Sequence, residues 1–123
     1  MERKATILIY IAGKYSGDTD NNIAEARKWA IKLWEAGHAV ICPHLNTAHM
    51  EIDCEATYED FLLGDFLMIK RCDAVFMLPG WEQSDGAKQE HKHAWTNSIP
   101  VIYSYLTDIE DIEKYVKHIK GLK

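Results

Sequence analysis

Four short apolar runs, separated by stretches of helical periodicity, constrain the fold of this chain more than any other feature of its sequence. The runs are rich in β-branched and aromatic residues, and the first three end at a glycine or a proline, which is typical of strands buried on both faces. They predict strands over residues 6–12, 38–42, 73–78 and 99–103. Apolar residues at helical spacing predict helices over residues 21–36, 57–71, 84–97 and 108–120.

This order of elements predicts an α/β fold. Crossovers between parallel strands are right-handed almost without exception, so the helices cover both faces of the sheet. We therefore expect one Rossmann-like or flavodoxin-like three-layer domain over residues 1–123, with a parallel sheet of four to five strands. Ligands of such sheets bind at the carboxyl ends of the strands. The loops at 13–20, 43–55 and 79–85 are thus where chemistry is expected, and 43–55 is interpreted as a loop over a site.

The composition excludes several partners. Hydrophobic residues make up 47% of the chain and charged residues 27%, which is typical of a soluble globular domain. The net charge of −5 argues against nucleic acid, because phosphate contacts need a basic surface. No apolar run reaches the roughly 20 residues that span a bilayer, and no signal peptide is visible, so we expect no membrane partner and a cytoplasmic location. Neither the three cysteines nor the six histidines form a metal-binding motif, and we expect no metal or other cofactor.

The polar loop at residues 13–20 lies between a predicted strand and a predicted helix. Gly13 and Lys14 invite comparison with phosphate-binding loops, but neither the Walker A spacing nor G-x-G-x-x-G is present. The loop amides and the Ser16 hydroxyl can still contact an anion ahead of the helix. A flexible turn without a ligand explains the same residues equally well.

Asp65 stands on the apolar face of the second predicted helix, four residues after Phe61 and four before Ile69. A carboxylate at such a position is costly unless it has a partner or lines a cleft. Two interpretations stay open here: Asp65 is a site carboxylate, or it is a boundary residue that caps a neighbouring loop.

The segment around the start of the third predicted helix contains the sharpest local pattern. Ser84 is a good N-cap, which leaves free amides and a partial positive charge for an anionic ligand group. Gly86 and Glu90 share one helical face, so the missing side chain of Gly86 leaves room above the Glu90 carboxylate. The alternative is that Ser84 is only a cap and Glu90 one of several solvated charges. Trp81, in the preceding loop, is the tryptophan placed to stack on a base.

Three segments in order resemble the nucleoside 2-deoxyribosyltransferase-like superfamily. They are Ile9-Tyr10-Ile-Ala-Gly13, Gly64-Asp65-Phe-Leu-Met-Ile-Lys-Arg-Cys-Asp73-Ala-Val and Ser84-Asp-Gly86-Ala-Lys-Gln-Glu90. The superfamily includes the transferases, the deoxynucleoside 5′-monophosphate N-glycosidases and many small bacterial and phage proteins. The resemblance covers about residues 6–105 and implies a small-molecule nucleoside or nucleotide substrate.

The resemblance also implies a role for each matching residue. Glu90 would be the nucleophile that attacks the anomeric carbon and forms a glycosyl-enzyme ester. Asp65 would hold or protonate the departing base, which leaves more easily once a ring nitrogen is protonated. Tyr10 would lie beside the nucleophile and orient its carboxylate, and Gly13 would open the floor of the pocket.

Two further features bear on the reaction. Ser84 stands where transferases of free nucleosides tend to carry an acid and where the monophosphate hydrolases carry a phosphate-binding serine, which favours a nucleotide. Some of the hydrolases have a phosphate-binding arginine in the first loop, and Lys14 and Ser16 are the candidates here. The short segment ending at Lys123 favours hydrolysis over transfer to a second base.

We therefore expect an N-glycosidase of (deoxy)nucleoside 5′-monophosphates, close to the known monophosphate hydrolases. Small members of the superfamily often pair so that one copy covers the cleft of the other, which predicts a homodimer or a larger assembly. The alternatives are a 2-deoxyribosyltransferase that needs an acceptor base and a nucleotide-binding module without turnover.

Overall fold

A four-stranded parallel sheet forms the centre of the computed structural model, which describes residues 6–119. The strands lie in the order β2-β1-β3-β4, and each neighbouring pair is parallel. They are β1 (Leu8–Ala12), β2 (Ala39–Ile41), β3 (Ala74–Met77) and β4 (Val101–Tyr103). The predicted α/β fold with a parallel sheet is confirmed.

Four longer helices connect or follow the strands. They are α1 (Thr19–Glu35), α4 (Tyr58–Lys70), α5 (Asp85–Thr96) and α6 (Ile112–Ile119). Helices α1 and α6 pack on one face of the sheet, where Leu33 and Val116 meet Phe76 of β3. Helices α4 and α5 pack on the other face, where Ile69 and Ala94 belong to a second apolar cluster. These three layers match the expectation from the sequence.

The alternation of side chains along β1 divides its residues between the two faces. Ile9 and Ile11 belong to the apolar cluster beneath α1 and α6, and both are fully buried. Tyr10 and Ala12 belong to the cluster beneath α4 and α5. The alternation therefore places the phenol of Tyr10 on the face covered by α5.

The segment after β2 differs from its sequence interpretation. Residues 43–55 contain two short helices, α2 (Pro43–Asn46) and α3 (Met50–Asp53), instead of a loop without regular structure. Proline suits the first turn of a helix because its missing N–H is not needed there, and Pro43 holds that position in α2. His49 has a left-handed backbone with φ 61° and turns the chain into α3. Helical periodicity is invisible in helices of only four residues.

Within residues 6–119, no helix is both long and apolar enough to cross a membrane.

Candidate active site

A cleft of about 680 Å³ lies at the carboxyl end of β1. All three loops singled out in the sequence border it, together with the inward faces of α4 and α5. Residues from the predicted site that line it are Gly13, Lys14, Ser16, Asp65, Ser84, Gly86 and Glu90. The fold thus brings together residues that are far apart in the sequence.

Tyr10, Asp65 and Glu90 meet in a buried cluster beside this cleft. The Tyr10 hydroxyl donates a hydrogen bond to Oε2 of Glu90, across 80 positions of sequence. The half-buried Asp65 carboxyl group lies near Glu90 and Tyr10 and interacts with both. Glu90 is only 7% exposed although it is a charged residue. The interpretation of Glu90 as a solvated charge on the helix surface is therefore wrong.

Burial and mutual repulsion hold a proton on this pair of carboxyl groups. Burial raises the pKa of Glu90 well above its usual range, and the nearby Asp65 raises it further. Burial likewise raises the pKa of Asp65, to about 6. Two carboxyl groups in contact share one negative charge over a wide range of pH. Because the Tyr10 hydroxyl donates to Glu90, it lowers the pKa of that carboxyl and favours its ionised form.

The start of α5 positions Glu90. The Ser84 Oγ accepts a hydrogen bond from the Ala87 amide at 3.2 Å, so Ser84 is the N-cap that the sequence predicts. Glu90 follows Gly86 by one helical turn. The Tyr58 hydroxyl occupies part of the space above Gly86, because it lies 3.0 Å from the position that a Cβ on Gly86 would take.

Gly13 allows β1 and the end of β3 to approach closely. A Cβ on Gly13 would lie 2.9 Å from both Cβ and Cδ1 of Leu78, which is closer than such atoms pack. Lys14, the next residue, lines the cleft, and its carbonyl is 2.6 Å from Nε2 of His44. Gly13 therefore lines the cleft and also allows the close packing against Leu78 beneath it.

The loop after β1 is tied to the segment 47–53. The Tyr15 hydroxyl donates to Glu51 at 2.7 Å and accepts from the His49 amide at 2.7 Å. The amide of Asn22 donates to the carbonyls of Tyr15 and Ser16 and so holds the same loop from below. These contacts place Glu51 at the border of the cleft.

Trp81 does not reach the cleft. Its ring stacks on His91 of α5, with ring centres 4.3 Å apart and planes 20° apart, and it lies near Tyr103 of β4. His91 in turn is 2.7 Å from the Tyr103 hydroxyl. The expected role of Trp81 in stacking on a base is therefore not supported, because the His91 ring already stacks on it.

Several cleft residues escaped the sequence interpretation: Tyr15, His44, Glu51, Tyr58, Phe61 and Leu62. Tyr58 precedes Asp65 by two helical turns, so spacing from Asp65 is a signal that points to it. His44 is buried, and burial lowers its pKa, so this ring stays neutral. Among residues 6–119, no group of three His, Cys, Asp or Glu side chains is arranged to hold a metal ion.

The parallel sheet, with a cleft at the ends of its strands, is the fold that the resemblance found in the sequence implies. Residues 7–103 match the family described as a domain of unknown function, DUF4406, and the chain belongs to that family. A comparison with curated proteins finds no match.

Two solved structures share the fold. A 2-deoxyribosyltransferase from Bacillus psychrosaccharolyticus is 22% identical, with a TM-score of 0.57, over 78% of this chain and 70% of the other. A conserved protein from Enterococcus faecalis V583 is 18% identical, with a TM-score of 0.67, over 93% of this chain and 75% of the other. At these identities the likeness establishes the fold.

Proposed function

We propose that this protein is an N-glycosidase that hydrolyses the base–sugar bond of a (deoxy)nucleoside 5′-monophosphate through a glycosyl ester on Glu90. The observation that carries the proposal is the buried contact between Glu90, Asp65 and Tyr10 beside the cleft. Placing the buried Glu90 carboxyl beside the half-buried Asp65 carboxyl costs stability, which favours a catalytic role over a purely structural one. Enzymes that cleave glycosidic bonds with retention also use two carboxyl groups, one as nucleophile and one as acid.

In the first step, a carboxylate oxygen of Glu90 attacks the anomeric carbon while the bond from that carbon to the base nitrogen breaks. The bonding electrons leave with the base, and Asp65 gives the base a proton. Burial raises the pKa of both carboxyl groups, that of Asp65 to about 6, so the pair keeps one proton at a higher pH than exposed carboxyl groups do. The first step requires this proton on Asp65 and an ionised Glu90, and the hydrogen bond from Tyr10 favours that arrangement. Tyr10 orients the attacking carboxylate and favours its ionised form.

In the second step, water attacks the anomeric carbon of the ester. The Asp65 carboxylate takes a proton from this water, and Glu90 departs as a carboxylate. The products are the free base and the sugar 5′-phosphate. Both carboxyl groups return to their initial protonation states.

Four groups support a phosphorylated substrate. Because the Ser84 Oγ accepts from the Ala87 amide, its own hydrogen is free to donate to a phosphate oxygen. The N-terminus of α5 adds a partial positive charge at the same place. Lys14 and Ser16 border the cleft from the loop after β1 and are the candidates for further phosphate contacts.

The test is a chromatographic assay of base release from a panel of ribo- and deoxyribonucleoside 5′-monophosphates and free nucleosides, with and without an acceptor base. Glu90→Ala is compared with Glu82→Ala, which changes an exposed glutamate before the same helix. Base release that Glu90→Ala abolishes and Glu82→Ala retains supports the proposal. Turnover only with an added base indicates a deoxyribosyltransferase. A nucleotide that raises the melting temperature without turnover indicates a binding module.

We also propose that the protein is a homodimer. Leu63 and Leu67 lie one turn apart on α4 and are each about 60% exposed, which gives an apolar surface for contact with a second copy. Light scattering should give the mass of a dimer or a larger assembly. A monomer at micromolar concentration would contradict this part of the proposal.

A further inference from the structure

Tyr58 lines the cleft, yet the proposed mechanism gives it no role. It is the first residue of α4 and follows Thr57, whose side chain forms a capping box with Asp60. The Thr57 Oγ1 accepts from the Asp60 amide at 3.2 Å, and the Asp60 carboxylate accepts from the Thr57 amide at 2.8 Å. The backbone that carries Tyr58 is therefore fixed, although the side chain is largely exposed (60%).

The phenol of Tyr58 lies directly over Gly86. A Cβ on Gly86 would lie 3.0 Å from the Tyr58 hydroxyl oxygen and 3.9 Å from its Cε1. The backbone of Gly86 does not itself require glycine, because Gly86 is not among the residues with positive φ. A methyl group at this position would therefore press against the phenol of Tyr58, which would have to shift by a few tenths of an ångström.

The Tyr58 hydroxyl is a free donor beside the start of α5. It forms no hydrogen bond to the residues between 6 and 119. Burial raises its pKa, and the nearby Glu90, Asp85 and Asp65 raise it further, so the hydroxyl keeps its proton. The Ser84 Oγ lies 3.9 Å from the same Cβ position on Gly86, so two hydroxyl groups flank this glycine.

We propose that Tyr58 is a substrate-binding residue whose phenol, seated over Gly86, donates a hydrogen bond to an oxygen of the 5′-phosphate beside Ser84. The proposal rests on the proposed function and extends it. Glu90 lies one helical turn, about 5.4 Å, beyond Gly86. A sugar whose anomeric carbon faces Glu90 can be placed with its 5′ end towards Gly86, where the two hydroxyl groups lie.

The first test separates the hydroxyl from the ring. Tyr58→Phe should raise KM for the monophosphate about tenfold, because it removes one hydrogen bond to a charged group. The same change should raise KM for the matching free nucleoside by less than about twofold, and kcat should change little. Tyr105→Phe is the matched control, since it alters another exposed tyrosine outside the cleft. An equal effect on both substrates would overturn the assignment to the phosphate.

The second test examines the contact between the Tyr58 phenol and Gly86 by a double-mutant cycle. Gly86→Ala should weaken binding when Tyr58 is present, because the added methyl group displaces the phenol. In the Tyr58→Ala background the same change should cost less, since nothing remains to be displaced. Equal costs in the two backgrounds would overturn the inference. Melting curves of all variants establish that the compared proteins are folded.

Base release and nucleotide binding are measured separately, so that this inference and the proposed function can fail independently. Binding is measured by calorimetric titration with the four deoxynucleoside 5′-monophosphates, with and without Tyr58→Phe, in the Glu90→Ala background so that no substrate is consumed. If the wild type releases no base but Tyr58→Phe weakens nucleotide binding, the inference stands and the hydrolysis fails. If the wild type releases base and Tyr58→Phe leaves KM and Kd unchanged, the hydrolysis stands and the inference fails. Absence of both binding and turnover overturns both.

Discussion

The two faces of the sheet share their strands but differ in what they bury. Beneath α1 and α6, aliphatic and aromatic side chains such as Leu33 and Phe76 pack without exposed surface. Beneath α4 and α5, an equally buried Tyr10 contacts the carboxyl group of Glu90. The first face stabilises the fold, whereas the second accepts the cost of buried charge beside a cleft. Depth of burial alone therefore does not identify a site, whereas a buried polar contact beside a cleft does.

We expect the strongest loss of activity from a change in α5, on the face of the sheet beside the cleft. Glu90→Gln should lower kcat at least about 10³-fold, because the amide cannot attack the anomeric carbon. The melting temperature should stay the same or rise, since a neutral amide relieves the repulsion with Asp65. Steady-state base release and calorimetry measure the two quantities. A large loss of stability with only a modest loss of kcat would contradict the proposed difference between the two faces.

The matched change on the other face is Leu33→Ala. Leu33 is fully buried in the cluster beneath α1, so its truncation should cost about 2–5 kcal/mol of unfolding free energy. Activity per folded molecule should stay near the wild-type value at low temperature. Urea denaturation gives the stability, and the fraction folded then normalises the rate. A normalised rate that falls as far as that of Glu90→Gln would show that the faces are not separable.

The change Tyr10→Phe removes only the hydroxyl that contacts Glu90 and leaves the buried aromatic ring of β1 in place. Loss of the hydroxyl removes a hydrogen bond that lowers the pKa of Glu90, so that pKa should rise. Glu90 is then ionised only at higher pH, and the acidic limb of the kcat/KM profile should shift upward. We expect kcat to fall about 10–100-fold near neutral pH. An unshifted acidic limb would mean that Tyr10 does not act through Glu90.

A smaller effect is expected on the pH dependence of stability. The pKa of Asp65 is about 6 in the folded protein and about 4 in an unfolded chain, so the folded state binds more protons between these values. The resulting stabilisation is complete below pH about 4 and is lost as the pH rises through about 6. Asp65→Asn should weaken this downward trend, because it also removes the repulsion that raises the pKa of Glu90. Chemical denaturation across this range measures both proteins, and identical slopes would contradict the account.

The sequence was sufficient for the main elements of the fold but not for all of the cleft. The apolar runs and helical stripes predicted the strands and the four longer helices, because local periodicity determines them. Helices α2 and α3 are too short to show a period. Trp81 was wrongly expected to stack on a base, because the sequence around it does not show that His91 stacks on its ring and that Tyr103 lies nearby.

The candidate site shows the same division. Ser84, Gly86 and Glu90 stand close together in one segment, and their helical spacing is readable. Asp65 drew attention because a carboxylate conflicts with an apolar stripe. Tyr10 resembles an ordinary core aromatic in a buried strand, and only the family resemblance pointed to it. Tyr58 was missed although it stands two helical turns before Asp65, because that spacing alone does not distinguish a cleft residue from an ordinary exposed tyrosine.

The stereochemistry of cleavage shows whether a covalent glycosyl ester forms during the reaction, and the proposed role of Glu90 as nucleophile depends on that ester. Cleavage of the preferred deoxynucleoside monophosphate in water containing methanol gives a methyl glycoside, whose anomeric configuration NMR reads before it can change. Two successive displacements at the anomeric carbon, the first by Glu90, predict the configuration of the substrate. The opposite configuration would show direct attack by solvent and would contradict the glycosyl ester on Glu90.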